Sequence, residues 1–222
     1  ATAWAQRSSG APIELRAEIS SARAWAAHLA GQVDHRRGEL AYWLARVPEQ
    51  SEAFGTAVDA TRDRVADQHR VIEEFDDRLS EALLTSIPDA FGASVTDVLL
   101  GSLARAVRSW QGTRDIADDQ PVGVLVEGHG RDDDIVAAGP DPRRADLSRT
   151  VGWFTQLAPV VIDPATDVVH AIKAAKEERR GQPGDGAGFG ILRYLGDTEL
   201  SDRPLPSILF NFLGAAAGAT FV

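Results

Sequence analysis

Val122-Gly-Val-Leu-Val-Glu-Gly-His-Gly-Arg131 decides how the rest of the chain is read. Its first six residues are a nearly continuous apolar run bounded by glycine, the pattern of a strand covered on both faces rather than one with a wet side. Such a strand needs layers above and below it, and the flanking sequence supplies them. Upstream, Ser94 opens the most regular helix of the chain, with Val95, Val98, Leu99, Leu103, Ala106, Val107 and Trp110 at spacings of three and four, which predicts a core helix. Downstream come a strand over 154–162, a helix over 167–180, a glycine-rich turn over 181–188, a short helix over 191–195 and a strand over 207–212. Strands and helices alternating in this way predict an α/β lobe with a mixed sheet and flanking helices.

The first third is more helical. Ser20 or Ser21 can cap a helix whose apolar residues Ala22, Trp25, Ala26 and Leu29 share one face, and a second helical stretch carries Leu40, Tyr42, Trp43 and Leu44 before stopping at Pro48. Residues 49–67 are polar and rich in turn formers. The β-branched and aromatic content of 69–75 predicts a short strand. Asp76 or Asp77 can cap the next helix, which passes through Leu79, Leu83 and Leu84 and ends near Pro88. The charged stretch from Arg131 to Asp146, with prolines at 140 and 142, predicts a surface loop.

Composition narrows the possible functions. With 44% hydrophobic residues in 222, the chain can bury a sizeable core. Acidic residues outnumber basic ones 33 to 23, which argues against a grip on nucleic acid phosphates. There is no cysteine, hence no disulfide framework or thiolate metal site, in keeping with a cytoplasmic compartment. No apolar run approaches the ~18–20 residues of a membrane span, and no membrane partner is expected. The sequence contains no methionine, even at position 1, so a piece of a longer polypeptide is expected.

The sharpest chemical feature is Glu127-Gly-His-Gly-Arg131, a carboxylate, an imidazole and a guanidinium at the end of a buried strand. The glycines let the backbone turn sharply and approach a ligand. A carboxylate that loses part of its hydration at a strand end is suited to proton transfer. The alternative on the residues alone is that Glu127 pairs with Arg131 or Arg149 and merely holds the loop, and that His129 is a hydrogen-bonded turn residue. The five histidines show no metal-ligand spacing, so no metal is expected. Gly184-x-Gly-x-Gly188 lacks the preceding long strand and the following Lys-Ser or Lys-Thr of a phosphate loop and reads as a structural turn; no Gly-x-Ser-x-Gly elbow supports a hydrolase.

Four separated motifs, Glu127-Gly-His-Gly-Arg131, Asp146-Leu-Ser-Arg-Thr-Val-Gly-Trp-Phe-Thr155, Gly188-Phe-Gly-Ile-Leu-Arg-Tyr-Leu195 and Phe210-Asn-Phe-Leu-Gly214, resemble the ordered signature of epimerization-type domains of the nonribosomal peptide synthetase condensation superfamily. Ser21-Ala-Arg-Ala-Trp-Ala26 and Glu39-Leu-Ala-Tyr-Trp43 are similar to the segments that follow that superfamily's active-site histidine motif, so the resemblance covers nearly the whole chain. It implies a chloramphenicol-acetyltransferase-like fold of two lobes. Residues 1–75 would be the end of the N-terminal lobe and the crossover, and 76–222 the C-terminal lobe. The tunnel between the lobes would admit the phosphopantetheine arm of a peptidyl carrier protein, with no cofactor bound by the domain itself. Glu127 would exchange the Cα proton of a carrier-bound thioester, facing a histidine of an upstream His-His-x-x-x-Asp-Gly motif; His129, Arg131, Trp153 and Asn211 would line the substrate tunnel.

Three departures stand out. The His-His-x-x-x-Asp-Gly motif is absent from these 222 residues, Ala158 stands where an aromatic residue usually precedes Pro159, and Phe189 replaces the commoner tyrosine. The resemblance therefore leaves two readings open. One is an epimerase fragment that needs the missing N-terminal lobe as its partner; the other is a non-catalytic relative, like the oxygenase-recruiting domain of glycopeptide-antibiotic synthetases, that would bind a cytochrome P450.

Overall fold

The computed structural model describes residues 2–15, 20–49, 59–114, 121–131, 146–163, 167–196 and 198–214. Among these residues the centre is a mixed sheet of three strands in the order β2, β1, β3: β1 is Val122–Gly128, β2 is Gln156–Ile162 and β3 is Leu209–Phe210. β1 and β2 run antiparallel, with Val124 opposite Val160 and Leu125 opposite Pro159, while β3 lies parallel to β1. Pro159 is tolerated because its carbonyl points away from β1, where Nε2 of Gln182 donates to it at 3.2 Å; its missing N–H falls on the same outer side.

Both faces of β1 are covered, as the apolar run requires. On one face Val122 and Val124 pack with Val160 and Ile162 against Leu100, Ala104 and Val107 of one helix and Ala175 of another. On the other, Leu125 packs with Trp43, Phe189, Leu192 and Leu200. Among the described residues the helices are, in chain order, α1 (Thr2–Ser8), α2 (Ala22–Ala30), α3 (Val33–Arg36), α4 (Leu40–Leu44), α5 (Asp77–Leu84), α6 (Ser86–Phe91), α7 (Val95–Gly112), α8 (Val168–Arg180) and α9 (Ala187–Leu195). Thus α7 and α8 cover one side and α4 and α9 the other, each fully buried aliphatic or aromatic side chain contributing about 1.5–3 kcal/mol. The layers are also tied by charge: Arg46, just past α4, grips Glu178 of α8 with Nε–Oε1 at 2.5 Å and Nη2–Oε2 at 3.1 Å.

Capping follows the sequence closely. The hydroxyl of Ser21 accepts from the Ala24 N–H, Asp76 accepts from Leu79, and Asp167 accepts from His170. Ser94 and Asp97 form a reciprocal capping box at the start of α7.

Five expectations are corrected. Residues 69–75 form no strand: Val71 and Ile72 are 84% and 70% exposed, and β-branched composition makes no ladder without a neighbour to pair with. The helix after Asp76 does not run to Pro88 but breaks at Thr85, and Pro88 lies in the first turn of α6, where its missing N–H leaves no helical bond unmade. The buried stripe of α7 is Val98, Leu100, Gly101, Ala104 and Val107, one position round from the row containing Leu99, Leu103 and Ala106, because the small residues admit close contact with α8. Finally, α9 starts four residues before 191, and the last strand shrinks to Leu209–Phe210. Of the loop expected from Arg131 to Asp146, residues 132–145 lie outside the described residues.

Candidate functional site

β1 delivers Glu127 and Gly128 to its C-terminal end, and the chain then turns through His129 and Gly130 to Arg131. Gly130 has φ +61°, and a Cβ built on it falls 1.7 Å from the Phe154 carbonyl oxygen, so only glycine fits this turn. The backbone N–H of Arg131 closes it by donating to Nδ1 of His129 at 3.0 Å. The Arg131 guanidinium reaches the following motif: Nη1 donates to the carbonyls of Leu147 at 2.7 Å and Thr150 at 3.0 Å, Nη2 to that of Gly152 at 3.4 Å, and the group lies 4.3 Å from the Phe154 ring centre. From the other side Leu147 is buried with Trp25 and Ala187, and the Thr150 hydroxyl donates to the Ser20 carbonyl. The first two motifs are thereby fastened to each other and to the N-terminal end of α2.

A cleft of about 740 Å³ opens where β1 and β3 end. Glu127 lines it from the end of β1 and His129 from the turn that follows, Thr155, Gln156 and Ala158 from β2 and its approach, and Asn211 from the residue after β3. Thr96 at the start of α7 and Arg179 at the end of α8 close the far wall. Such a crevice beyond the carboxyl ends of strands is where layered α/β folds place ligands. Glu127, His129 and Asn211 are thus brought together from two strands 84 residues apart, counting from Glu127 to Asn211.

Arg131 and Trp153 are not brought into that cleft. Arg131 is occupied by loop carbonyls, and Trp153 is 88% exposed on the same loop. Among the described residues Arg131 makes no ion pair with Glu127; its guanidinium holds the loop through bonds to carbonyls. The sequence gives no local sign of Gln156 or Arg179. Gln156 follows from the strand register that sets it opposite Gly128, and Arg179 arrives only through the packing of α8.

The far wall is electrostatically fixed. Arg179 Nη1 donates to Asp97 Oδ1 at 2.5 Å and to the Ser94 hydroxyl at 3.0 Å. Burial pushes the Asp97 carboxyl up, but the hydrogen bonds from Ser94 and the Arg179 guanidinium outweigh it and hold the group below the usual carboxylate range. Behind the opposite face, the glycine-rich turn acts as a packing surface. A Cβ on Gly188 would fall 1.8 Å from Oε2 of Glu39, which also accepts from Nε1 of Trp43 at 3.0 Å and pairs through Oε1 with Arg36 at 2.7 Å. Ala158, in the place where the resemblance has an aromatic residue before Pro159, is 7% exposed, lines the cleft and abuts Gly186. Among the described residues no cluster of three His, Asp or Glu side chains is placed to hold a metal ion, and no single helix is long and apolar enough to cross a membrane.

A family model described as "Condensation domain" matches residues 2–217 of the chain. A linear gramicidin synthase polypeptide of Brevibacillus parabrevis is 33% identical over 223 aligned residues, covering 96% of this chain and 3% of that protein. Bacitracin synthase 3 of Bacillus licheniformis is 33% identical over 219, with the same coverage of each. Among solved structures, the epimerization domain from the third module of tyrocidine synthetase B superposes with a TM-score of 0.70 at 31% identity, over 90% of this chain and 42% of that one. The X-domain from teicoplanin biosynthesis gives 0.54 at 17% identity over 87% and 42%, a likeness of fold. The chain therefore spans a few per cent of its curated relatives and less than half of a structurally similar domain.

Proposed function

The chain belongs to the condensation-domain family of nonribosomal peptide synthetases, and from that premise we propose that it forms part of an epimerization domain inverting the Cα centre of a carrier-bound aminoacyl or peptidyl thioester. The observation that carries this reading is the convergence of Glu127, His129 and Asn211 on one cleft. The 31% identity to a solved epimerization domain supports it. Residues 1–75 then end the N-terminal lobe and make the crossover, 76–222 form the C-terminal lobe, and the missing lobe completes the tunnel.

Inversion requires a proton to leave one face of Cα and another to arrive on the opposite face, so one carboxylate is half of the machinery. Glu127 is that half: its carboxylate takes the Cα proton or returns it, and the upstream histidine serves the other face. Asn211 flanks the thioester, while Arg131 fixes the loop from beside the cleft. The substrate arrives on the phosphopantetheine of a peptidyl carrier protein, in the cytoplasm, and the domain binds no cofactor of its own.

The test is chiral analysis of the acyl group cleaved from the carrier after incubation of the full-length parent protein with its L-configured thioester. A mixture of L and D centres is expected. Retention of pure L by a folded, carrier-loaded parent would overturn the reading in favour of a non-catalytic platform, for which binding of a cytochrome P450 is then the measurement to make.

A further inference from the structure

Removing the Cα proton leaves charge on the thioester oxygen, and the cleft needs a donor fixed in advance to meet it. We propose that His129 is that donor, through Nε2–H, and that it takes no part in proton transfer; this role rests on the epimerase reading above.

Nδ1 of His129 accepts the N–H of Arg131 at 3.0 Å. A neutral imidazole that accepts at one nitrogen carries its proton on the other, so the ring presents Nε2–H as a donor. His129 is exposed and lines the same cleft as Glu127, which stands two residues before it in the chain. The ring is not free to exchange roles, because the amide it accepts from belongs to a turn that Gly130 and the Arg131 guanidinium hold against the 147–154 loop. With Nδ1 taken by the backbone N–H and Nε2 carrying the proton, the ring has no open lone pair to receive the Cα proton, whereas a donor whose orientation is set by the main chain costs no reorganisation during the reaction.

The Cα–H bond breaks, its electron pair forms the Cα–C double bond, and the carbonyl π pair moves to oxygen. The proton goes to Glu127 or to the upstream histidine, according to the face. His129 keeps its proton and donates a hydrogen bond to the enolate oxygen. Reprotonation at Cα by the group on the other face reverses the electron flow and yields the inverted centre.

Two substitutions separate the donor from a merely structural residue. His129→Asn keeps an acceptor near Nδ1 but loses the donor at Nε2; His129→Gln offers an amide N–H near Nε2 but loses the Nδ1 acceptor. The readout is Cα deuterium uptake in D2O by the thioester loaded on the carrier of the full-length parent protein. The expected result is a loss of about 10²–10³-fold in kcat for His129→Asn, with KM little changed, and retention of most of the rate in His129→Gln. A wild-type rate in His129→Asn overturns the proposal. Equal loss in both variants also overturns it, being the mark of a residue that only holds the turn. A second readout needs no variant: the ¹⁵N spectrum of the wild-type ring should show the proton on Nε2, and a proton on Nδ1 overturns the proposal. Wild-type protein that takes up no deuterium removes the epimerase reading itself and the donor role with it, an outcome distinct from failure of the variants alone.

Discussion

Replacing Gly130 with alanine should detach the two motifs that frame the cleft. The left-handed backbone at φ +61° costs an L-residue about 1–2 kcal/mol before any contact is made. The new Cβ would then lie 1.7 Å from the Phe154 carbonyl oxygen, and ordinary contact begins near 3.4 Å, so the oxygen must retreat by about 1.7 Å (3.4 − 1.7). That retreat drags the 147–154 loop from beneath the Arg131 guanidinium, whose bonds to Leu147 and Thr150 are charge-assisted. A charge-assisted bond is worth about 1.5–3 kcal/mol, less for a half-buried arginine. Losing one of them on top of the backbone cost puts the total near ~3 kcal/mol. Urea unfolding of the intact parent domain measures it. Gly190→Ala is the control: Gly190 sits inside α9 with nothing within 4 Å of a built Cβ, and the change should stabilise by about 0.5–1 kcal/mol. If Gly130→Ala unfolds at the same urea concentration as wild type, the turn does not anchor the 147–154 loop.

Two other substitutions test the layers and the cleft wall. Phe189 is fully buried, with its ring edge-on to Trp43 at 5.7 Å, so Phe189→Ala should cost about 3–5 kcal/mol by chemical denaturation; a cost below ~1 kcal/mol would contradict the helix–sheet–helix packing. Asp97 is held below the usual carboxylate range in the folded state, so its ionised form contributes stability above the unfolded value of about 3.9 and loses it as pH falls through the folded value. Asp97→Asn should therefore be much less stable than wild type at pH 7, with the gap narrowing below about pH 4; a gap that does not change with pH would show that the Arg179 contact carries no such linkage.

Much of the frame was legible in the sequence because the signals were strong and local. The apolar run ending in Glu127 had to be covered on both faces, and Ser20 or Ser21, Asp76 or Asp77, Ser94 and Asp167 marked helix starts that the structure keeps, with Ser21 and Asp76 as the caps. Where the reading failed, a non-local contact decided. Residues 69–75 have strand composition but, among the described residues, no neighbour with which to form a ladder. The start of α9 looked like a turn because of its glycines, yet Gly188 is required by the Glu39 carboxylate, about 150 residues earlier. In the same way the motif signalled Glu127 and His129 as neighbours on one turn, but not that Arg131 would leave the cleft for carbonyls 16 to 21 residues on. The convergence of Asn211 with Glu127 depends on β3 lying parallel to β1, which spacing alone does not encode.

The measurement to make first is deuterium wash-in at Cα of the carrier-bound thioester in D2O, comparing the full-length parent with its Glu127→Gln variant. Uptake by the parent that the substitution abolishes, in a variant with unchanged unfolding, is the expected result and assigns proton transfer to this carboxylate. Uptake undiminished in Glu127→Gln, or none from a folded, loaded parent, would contradict it.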